Sequence, residues 1–348
     1  MSKPRVLFLV TQALGWKTYA LHLEKQLARQ DKIEGILHRV PTKLPEKVFR
    51  RLNILDGFKV TSACWKSQFE AWVEHSKPDH VHCATQSLAL HWANRSPVIP
   101  FSLMIDATRS VCDRDDFAAS TSSQIALEKE MFEKASLVAG LSHWAVDSAV
   151  QDYNTPSEKT FLMPPSLEVP DQLARMSAIP PRIVFIGGDF VRKGGDKLLR
   201  WHHEHFQDAE LHIVGPKSPG GFEIGPNVVW HGWTPNEVVV KDILPSARVL
   251  VHPTQKDMSG WVIAEAAALG IPAISSITGG VPDLIDDRVT GFLHRPTDED
   301  GFISSIRSLL ENPQQAAEMG DHAYDKVNRE MNADINFPLL FERIAETC

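Results

Sequence analysis

The chain has 348 residues, 43% of them apolar and 23% charged, with a formal net charge of -8 at pH 7. The length favours two domains, each with its own core, and the composition is that of an ordinary globular protein. The acidic balance argues against a general nucleic-acid binder.

Cys64, Cys83, Cys112 and Cys348 share no metal-ligand spacing and read as reduced thiols of a cytosolic protein. Near the N-terminus the apolar run Val6–Val10 is shorter than a secretory h-region, and no run elsewhere spans a bilayer. A cytoplasmic protein is expected.

In chain order, RVLFLV (5–10) is a continuous apolar run, as in a buried parallel strand. A loop at 11–16 and a helix over 18–30, with Leu21, Leu23 and Leu27 inward, complete a strand-loop-helix opening. The loop holds Gly15 alone, so the dinucleotide fingerprint is absent. A second strand spans 33–40. In 43–59, Leu44, Val48, Leu52 and Leu55 recur at helical spacing beside Lys43, Lys47, Arg50, Arg51 and Lys59. That segment reads as a solvated helix on the sheet, or as a basic amphipathic helix for a membrane surface or an anionic acceptor.

Helices and strands then alternate through residue 153, which means a parallel sheet covered on both faces. Asp106 closes the strand FSLMID, where such sheets place ligands, and equally suits a turn cap. Prolines crowd 163–181, which reads as the interdomain linker.

The second domain opens with the strand RIVFI (182–186) and the turn Gly187-Gly188-Asp189-Phe190-Val191-Arg192-Lys193-Gly194-Gly195. Glycines admit a phosphate to the backbone, and two cations and a helix N-terminus neutralise it. The alternative is an ordinary surface turn. The tract Trp201-His202-His203-Glu204-His205 lacks the i, i+4 histidine pair of a zinc helix and reads as a solvated face, so no metal is expected. Strands follow at 210–215, 228–232 and 248–253.

The first half of the stretch DMSGWVIAEAAALGIPAISSITGGVPD (257–283) reads as a helix opened by Ser259-Gly260 and closed at Gly270. It is apolar all round, hence buried, with Glu265 as the one charge between Met258 and Ile277. Glu265 is therefore either half of a buried ion pair or a carboxylate held for a ligand. Asp257 stands eight positions earlier, in the loop ahead of the helix. Two acids flanking a helix N-terminus suit a ligand with a central phosphate and hydroxyls on both sides, such as a nucleotide sugar.

Asp257 and Glu265, then Ala266, Gly270 and Pro272, then Gly279-Gly280-Val281-Pro282-Asp283, resemble the retaining GT-B glycosyltransferases of family 4 (glycosyl transferases group 1). Their hallmark is Glu, seven residues, Glu, then Gly-Gly-x-Pro-acid. Here Asp257 replaces the first Glu, Ser259 an aromatic, and Gly188 an Arg that the family carries five residues before Lys193.

The resemblance implies an α/β chain of two Rossmann-like doubly wound domains facing across a cleft. An acceptor-side domain would span 1–168 and a nucleotide-sugar domain 169–333, with a C-terminal helix (334–348) packing back on the first. It implies metal-independent transfer of a sugar, configuration retained, from a nucleotide-diphosphate sugar to an acceptor hydroxyl, with no cofactor. Arg192 and Lys193 would face the diphosphate with Gly187, Gly188 and Gly194; amides at Ser259, Gly260 and Trp261 would hold phosphate or sugar. Asp257 would hold sugar hydroxyls, Glu265 the ribose, Gly232-Trp233 the nucleobase, and Gly15 would face the donor from the first domain. The acceptor is open (glycan, lipid-linked or small molecule), with weak peripheral contact at the inner membrane face through 43–59. A sugar-nucleotide epimerase and a non-catalytic nucleotide-sugar binder are the alternatives.

Overall fold

The computed structural model describes residues 3–13, 15–41, 56–173, 179–215 and 217–348. It divides into two compact units, Met1–Ser166 with Ala333–Cys348, and Leu167–Asn332. The expected basic helix over 43–59 lies outside the described residues except for its last four, where Asp56 caps the helix Gly57–Ser76 by accepting from Phe58 N and Lys59 N.

The first unit is built on a sheet of strands β1 (Arg5–Thr11), β2 (Glu34–Val40), β3 (His80–Ala84), β4 (Phe101–Ile105), β5 (Leu137–Gly140) and β6 (Thr160–Leu162). Their order is β2-β1-β3-β4-β5-β6, all parallel. Val6 to Val10 are fully buried, which is why this stretch is a continuous apolar run: helices cover both faces.

Helix α1 (Trp16–Arg29) buries Trp16, Tyr19, Ala20, Leu23 and Gln26. Leu21, expected inward, is 40% exposed, because it lies off the stripe that the two aromatic residues and Leu23 define at spacings of three and four. Asp106 has a partner in its own surroundings. The last helix, α2 (Ala333–Ala345), belongs to this unit and buries Phe337, Leu340, Phe341 and Ile344. Phe337 packs against Tyr19 and Phe341 against Phe8, with ring centroids 5.5 and 5.9 Å apart.

The second unit holds β7 (Arg182–Ile186), β8 (Glu210–Val214), β9 (Val228–Gly232), β10 (Val249–His252), β11 (Ala273–Ser276) and β12 (Gly291–His294). The order is β12-β11-β10-β7-β8-β9, again all parallel. The chain winds one way from β7 to β9 and the other way from β10 to β12. The reversal between β7 and β10 opens a crevice beyond their carboxyl ends, where doubly wound sheets bind ligands.

The helix after β7 (Gly195–His205) carries the histidine tract. Trp201 and His202 face the core, with His202 Nε2 2.8 Å from the Ala209 carbonyl, while His203, Glu204 and His205 are exposed. The tract is thus a solvated face only in part. Among the described residues no group of His, Cys, Asp and Glu is placed to hold a metal, and no helix is long and apolar enough to cross a membrane.

Candidate functional site

Both glycine-rich stretches emerge at the switch point, one after β7 and one after β10. They are stitched together by hydrogen bonds to backbone carbonyls: Gln255 N donates to that of Arg192 at 2.9 Å, and the side-chain Nη1 of Arg192 donates to that of Lys256 at 2.6 Å. Gly194 sits at φ +79°, and a Cβ there would lie 2.1 Å from the Pro253 carbonyl oxygen. Only glycine lets the two loops approach this closely. The turn after β11 joins them, since Gly280 N donates to the Met258 carbonyl at 3.1 Å.

The central helix, Trp261–Ala267, starts at Gly260 in the left-handed region and is shorter than the 259–270 span expected, because the chain turns at Ala268–Gly270 to enter β11. Glu265 in its middle is 6% exposed. Among the described residues its only hydrogen-bond partner is Asn236, whose Nδ2 donates to Oε1 at 2.9 Å. A buried ion pair is therefore not what keeps it. Burial pushes its carboxyl up to about 7, the Asn236 bond opposing.

Asp257 differs. It is buried, paired with Lys193, and accepts from His252 Nε2 at 2.8 Å through the same oxygen, Oδ2. Its Oδ1 accepts from Gly260 N at 3.1 Å and Ser259 N at 3.4 Å. Burial raises this carboxyl, but His252 and Lys193 together outweigh it and hold it well below the usual carboxylate range. His252, fully buried, is itself pushed down by desolvation, and because a carboxylate oxygen can only accept, the Nε2 that faces Asp257 carries the hydrogen.

Arg192 is half-exposed and pairs with Asp189 at 2.8 Å. Gly187 N donates to the Val214 carbonyl, and Gly215 packs its backbone on Gly187. Gly232 ends β9 at φ +68°, with Trp233 beyond it 72% exposed, its ring presented to solvent. Gly15, in the first unit, caps α1 and accepts Tyr19 N through its carbonyl at 3.0 Å.

The structure thus gathers Arg192, Lys193, Asp257, Ser259 and Gly260 around two adjoining loops, and ties Glu265 to the Asn236 turn after β9. Sequence reasoning missed Asn236 and His252. A histidine inside the apolar strand RVLVHP was the available signal for His252; nothing local marks Asn236.

Gly188 is in open space, with no atom within 4 Å of a Cβ placed there. Gly188→Arg, which adds a third cation beside the loop, is expected to leave the melting temperature within about 2 °C and, on the expectation that this loop faces a diphosphate, to tighten nucleoside diphosphate binding about threefold to tenfold. Unchanged binding in calorimetry would remove Gly188 from the ligand surface.

Residues 180–312 match the family model of glycosyl transferases group 1. Among curated proteins, the chain is 27% identical over 197 residues to the GDP-mannose-dependent alpha-(1-6)-phosphatidylinositol monomannoside mannosyltransferase of Mycolicibacterium smegmatis, covering 47% of this chain and 50% of that one. It is 30% identical over 87 residues to the sulfoquinovosyl transferase SQD2 of Arabidopsis thaliana, covering 24% of this chain and 17% of that one. The alignments therefore span half or less of these relatives' own length. Among solved structures, sucrose-phosphate synthase (tll1590) from Thermosynechococcus elongatus superposes with a TM-score of 0.79 at 18% identity over the whole of both chains. Anabaena Alr3699/HepE in complex with UDP-glucose superposes with a TM-score of 0.72 at 15% identity over 99% of both. At such identities the likeness is one of fold.

Proposed function

From a chain of GT-B fold that carries a glycosyl transferases group 1 domain over residues 180–312, we propose a retaining, metal-independent glycosyltransferase. It moves a sugar from a nucleotide-diphosphate donor to an acceptor hydroxyl. One observation carries the reading: two part-buried cations and a buried carboxylate with no ion-pair partner among the described residues are built around the switch point of one sheet. GDP-mannose and UDP-glucose, the nucleotide sugars of two of the similar proteins described above, belong to this class.

In this reading Arg192 and Lys193 stabilise the charge that grows on the leaving diphosphate. Each preorganised donor of that kind contributes roughly 3 kcal/mol in a dry site. Amides at Ser259, Gly260 and Trp261 bind phosphate or sugar, and the glycines at 187, 188 and 194 let the diphosphate approach. Glu265, its Oε1 steered by Asn236, keeps Oε2 for the ribose hydroxyls. Trp233 and Gly232 receive the base. The donor phosphate oxygen accepts the acceptor's proton, so no side chain is required as base, and the two cations take the neutralising role.

The test is a thermal-shift screen of UDP, GDP, ADP and their sugars, followed by product analysis with the donor that binds. At a hundredfold excess over its dissociation constant the true donor adds about 2.7 kcal/mol to stability. Absence of any shift across the screen would refute a nucleotide-sugar site. Turnover of the donor to an epimer, without an acceptor, would assign the alternative chemistry.

A further inference from the structure

In the resembling family the first acid of the pair reaches the donor sugar. Here the acid is Asp257, one methylene shorter, and its oxygens are already taken. Oδ2 accepts from His252 and from Lys193; Oδ1 accepts from Gly260 N and Ser259 N. A carboxylate offers about four lone-pair sites, so four protein donors leave none for a sugar hydroxyl. The side chain is also nearly closed off from solvent, at 8% residue exposure.

His252 points the same way. It ends β10, is fully buried, and has one ring nitrogen, Nδ1, without a hydrogen-bond partner among the described residues. Keeping an imidazole in the core with an unpartnered nitrogen is unfavourable unless the other nitrogen is needed. That other nitrogen, Nε2, is aimed at Asp257. Asp257 in turn fixes the ammonium of Lys193, which arrives from the loop after β7, 64 residues away in sequence.

We propose that Asp257, oriented by His252, is a positioning residue: it holds Lys193 toward the donor diphosphate and shapes the Ser259–Gly260 amides, and it makes no contact with the sugar. The proposal rests on the donor-binding reading above. It reassigns one member of the acid pair and adds His252 to the machinery. Asp257→Glu then does not restore a sugar contact. The longer side chain moves the carboxyl by about 1.5 Å, away from the loop amides it now caps.

The experiment compares a bare nucleotide with its sugar. UDP and UDP-glucose, and GDP and GDP-mannose, are titrated calorimetrically into the unaltered protein, Asp257→Asn, Asp257→Glu, His252→Phe, His252→Gln, Lys193→Met and the Asp257→Asn, Lys193→Met double variant. For the pair that the unaltered protein binds, Asp257→Asn is expected to weaken nucleotide and nucleotide sugar by the same factor, about tenfold. The double variant should bind no more weakly than Lys193→Met alone, because one residue acts through the other. His252→Phe should repeat the pattern more mildly, and His252→Gln, which retains an N–H donor, should recover most of the loss.

If Asp257→Asn weakens only the nucleotide sugar, Asp257 touches the sugar and the proposal falls. Additive losses in the double variant overturn it as well. Should the unaltered protein bind none of the four ligands, the donor-binding reading fails for these donors and the proposal with it, an outcome visible before any variant is made. Melting curves establish that each variant is folded. If Asp257→Asn is not, the His252 pair makes the same nucleotide-against-sugar comparison.

Discussion

Glu265→Gln is expected to make the protein more stable above neutral pH while making it a poorer donor binder. The sign follows from the buried carboxyl. Its folded value, about 7, lies above the ordinary 4.5 because burial disfavours the charge. Below pH 4.5 both the folded and unfolded forms carry the proton, and the stability is fully present. As pH rises from 4.5 to 7 the unfolded chain releases the proton first, so stability is lost at about 1.4 kcal/mol per pH unit, roughly 3 kcal/mol over the interval.

Glutamine does not titrate, so the difference in unfolding free energy between variant and unaltered protein should move by about that amount in the variant's favour between pH 4.5 and 8. Glu128, buried in the first unit with its carboxyl likewise pushed up to about 7, has the same sign but is present in both proteins and cancels in the difference. Urea unfolding at several pH values measures it. Parallel stability curves would mean that Glu265 carries no such strain. At pH 8 the variant should also bind the donor about tenfold more weakly, having exchanged a charged acceptor for a neutral amide. A destabilised active site that improves when disarmed is the usual mark of a group kept for ligand rather than fold.

On the function proposed above, Lys193→Ala is expected to lower turnover a hundredfold or more, since a cation that faces the diphosphate acts most strongly as the leaving charge develops. The same lysine is an internal partner of Asp257, so the variant also loses some stability. Three donors to Asp257 remain, His252 Nε2 and the amides of residues 259 and 260, which keeps that loss below the full penalty of an orphaned buried charge. Ligand choice separates the two effects. Binding of a nucleoside without phosphates should be unchanged, whereas binding of the diphosphate and turnover should fall. Equal loss for nucleoside and nucleoside diphosphate would show a general collapse of the site and remove Lys193 from the diphosphate.

Much of the second unit was legible locally. The paired glycines around Arg192 and Lys193, the acids at 257 and 265, and the Gly270-Ile271-Pro272 stop are signals carried by neighbouring residues, and strands such as RIVFI announce their burial on both faces. What the string of residues does not carry is who meets whom. Lys193 and Asp257 are both visible as charges, but that they pair with each other depends on β10 lying beside β7. The partner of Glu265 comes from a turn after the edge strand β9, and no spacing rule links positions 236 and 265. Leu21 was misread for a related reason: three leucines in a helix suggest a stripe, yet the face that turns inward is the one on which Tyr19 packs on Phe337 of α2 and meets His82 of β3, with Trp16 packed on Tyr19.

The position of α2 has a consequence for how the protein is made. Its residues follow the entire second unit in the chain, yet Phe337 and Phe341 complete the core of the first. On a ribosome the N-terminal sheet therefore emerges early and waits, one face short of its cover, while 166 residues of another unit are synthesised and fold between (Leu167–Asn332). Contacts separated by some 300 positions, such as Gln26 with Asp334, form last. Long-range closure of this kind is slow and leaves apolar surface open meanwhile. Chaperone dependence during synthesis should then belong to the first unit and be relieved when residues 333–348 are supplied as a separate peptide, a result that ribosome-arrested chains of graded length would reveal.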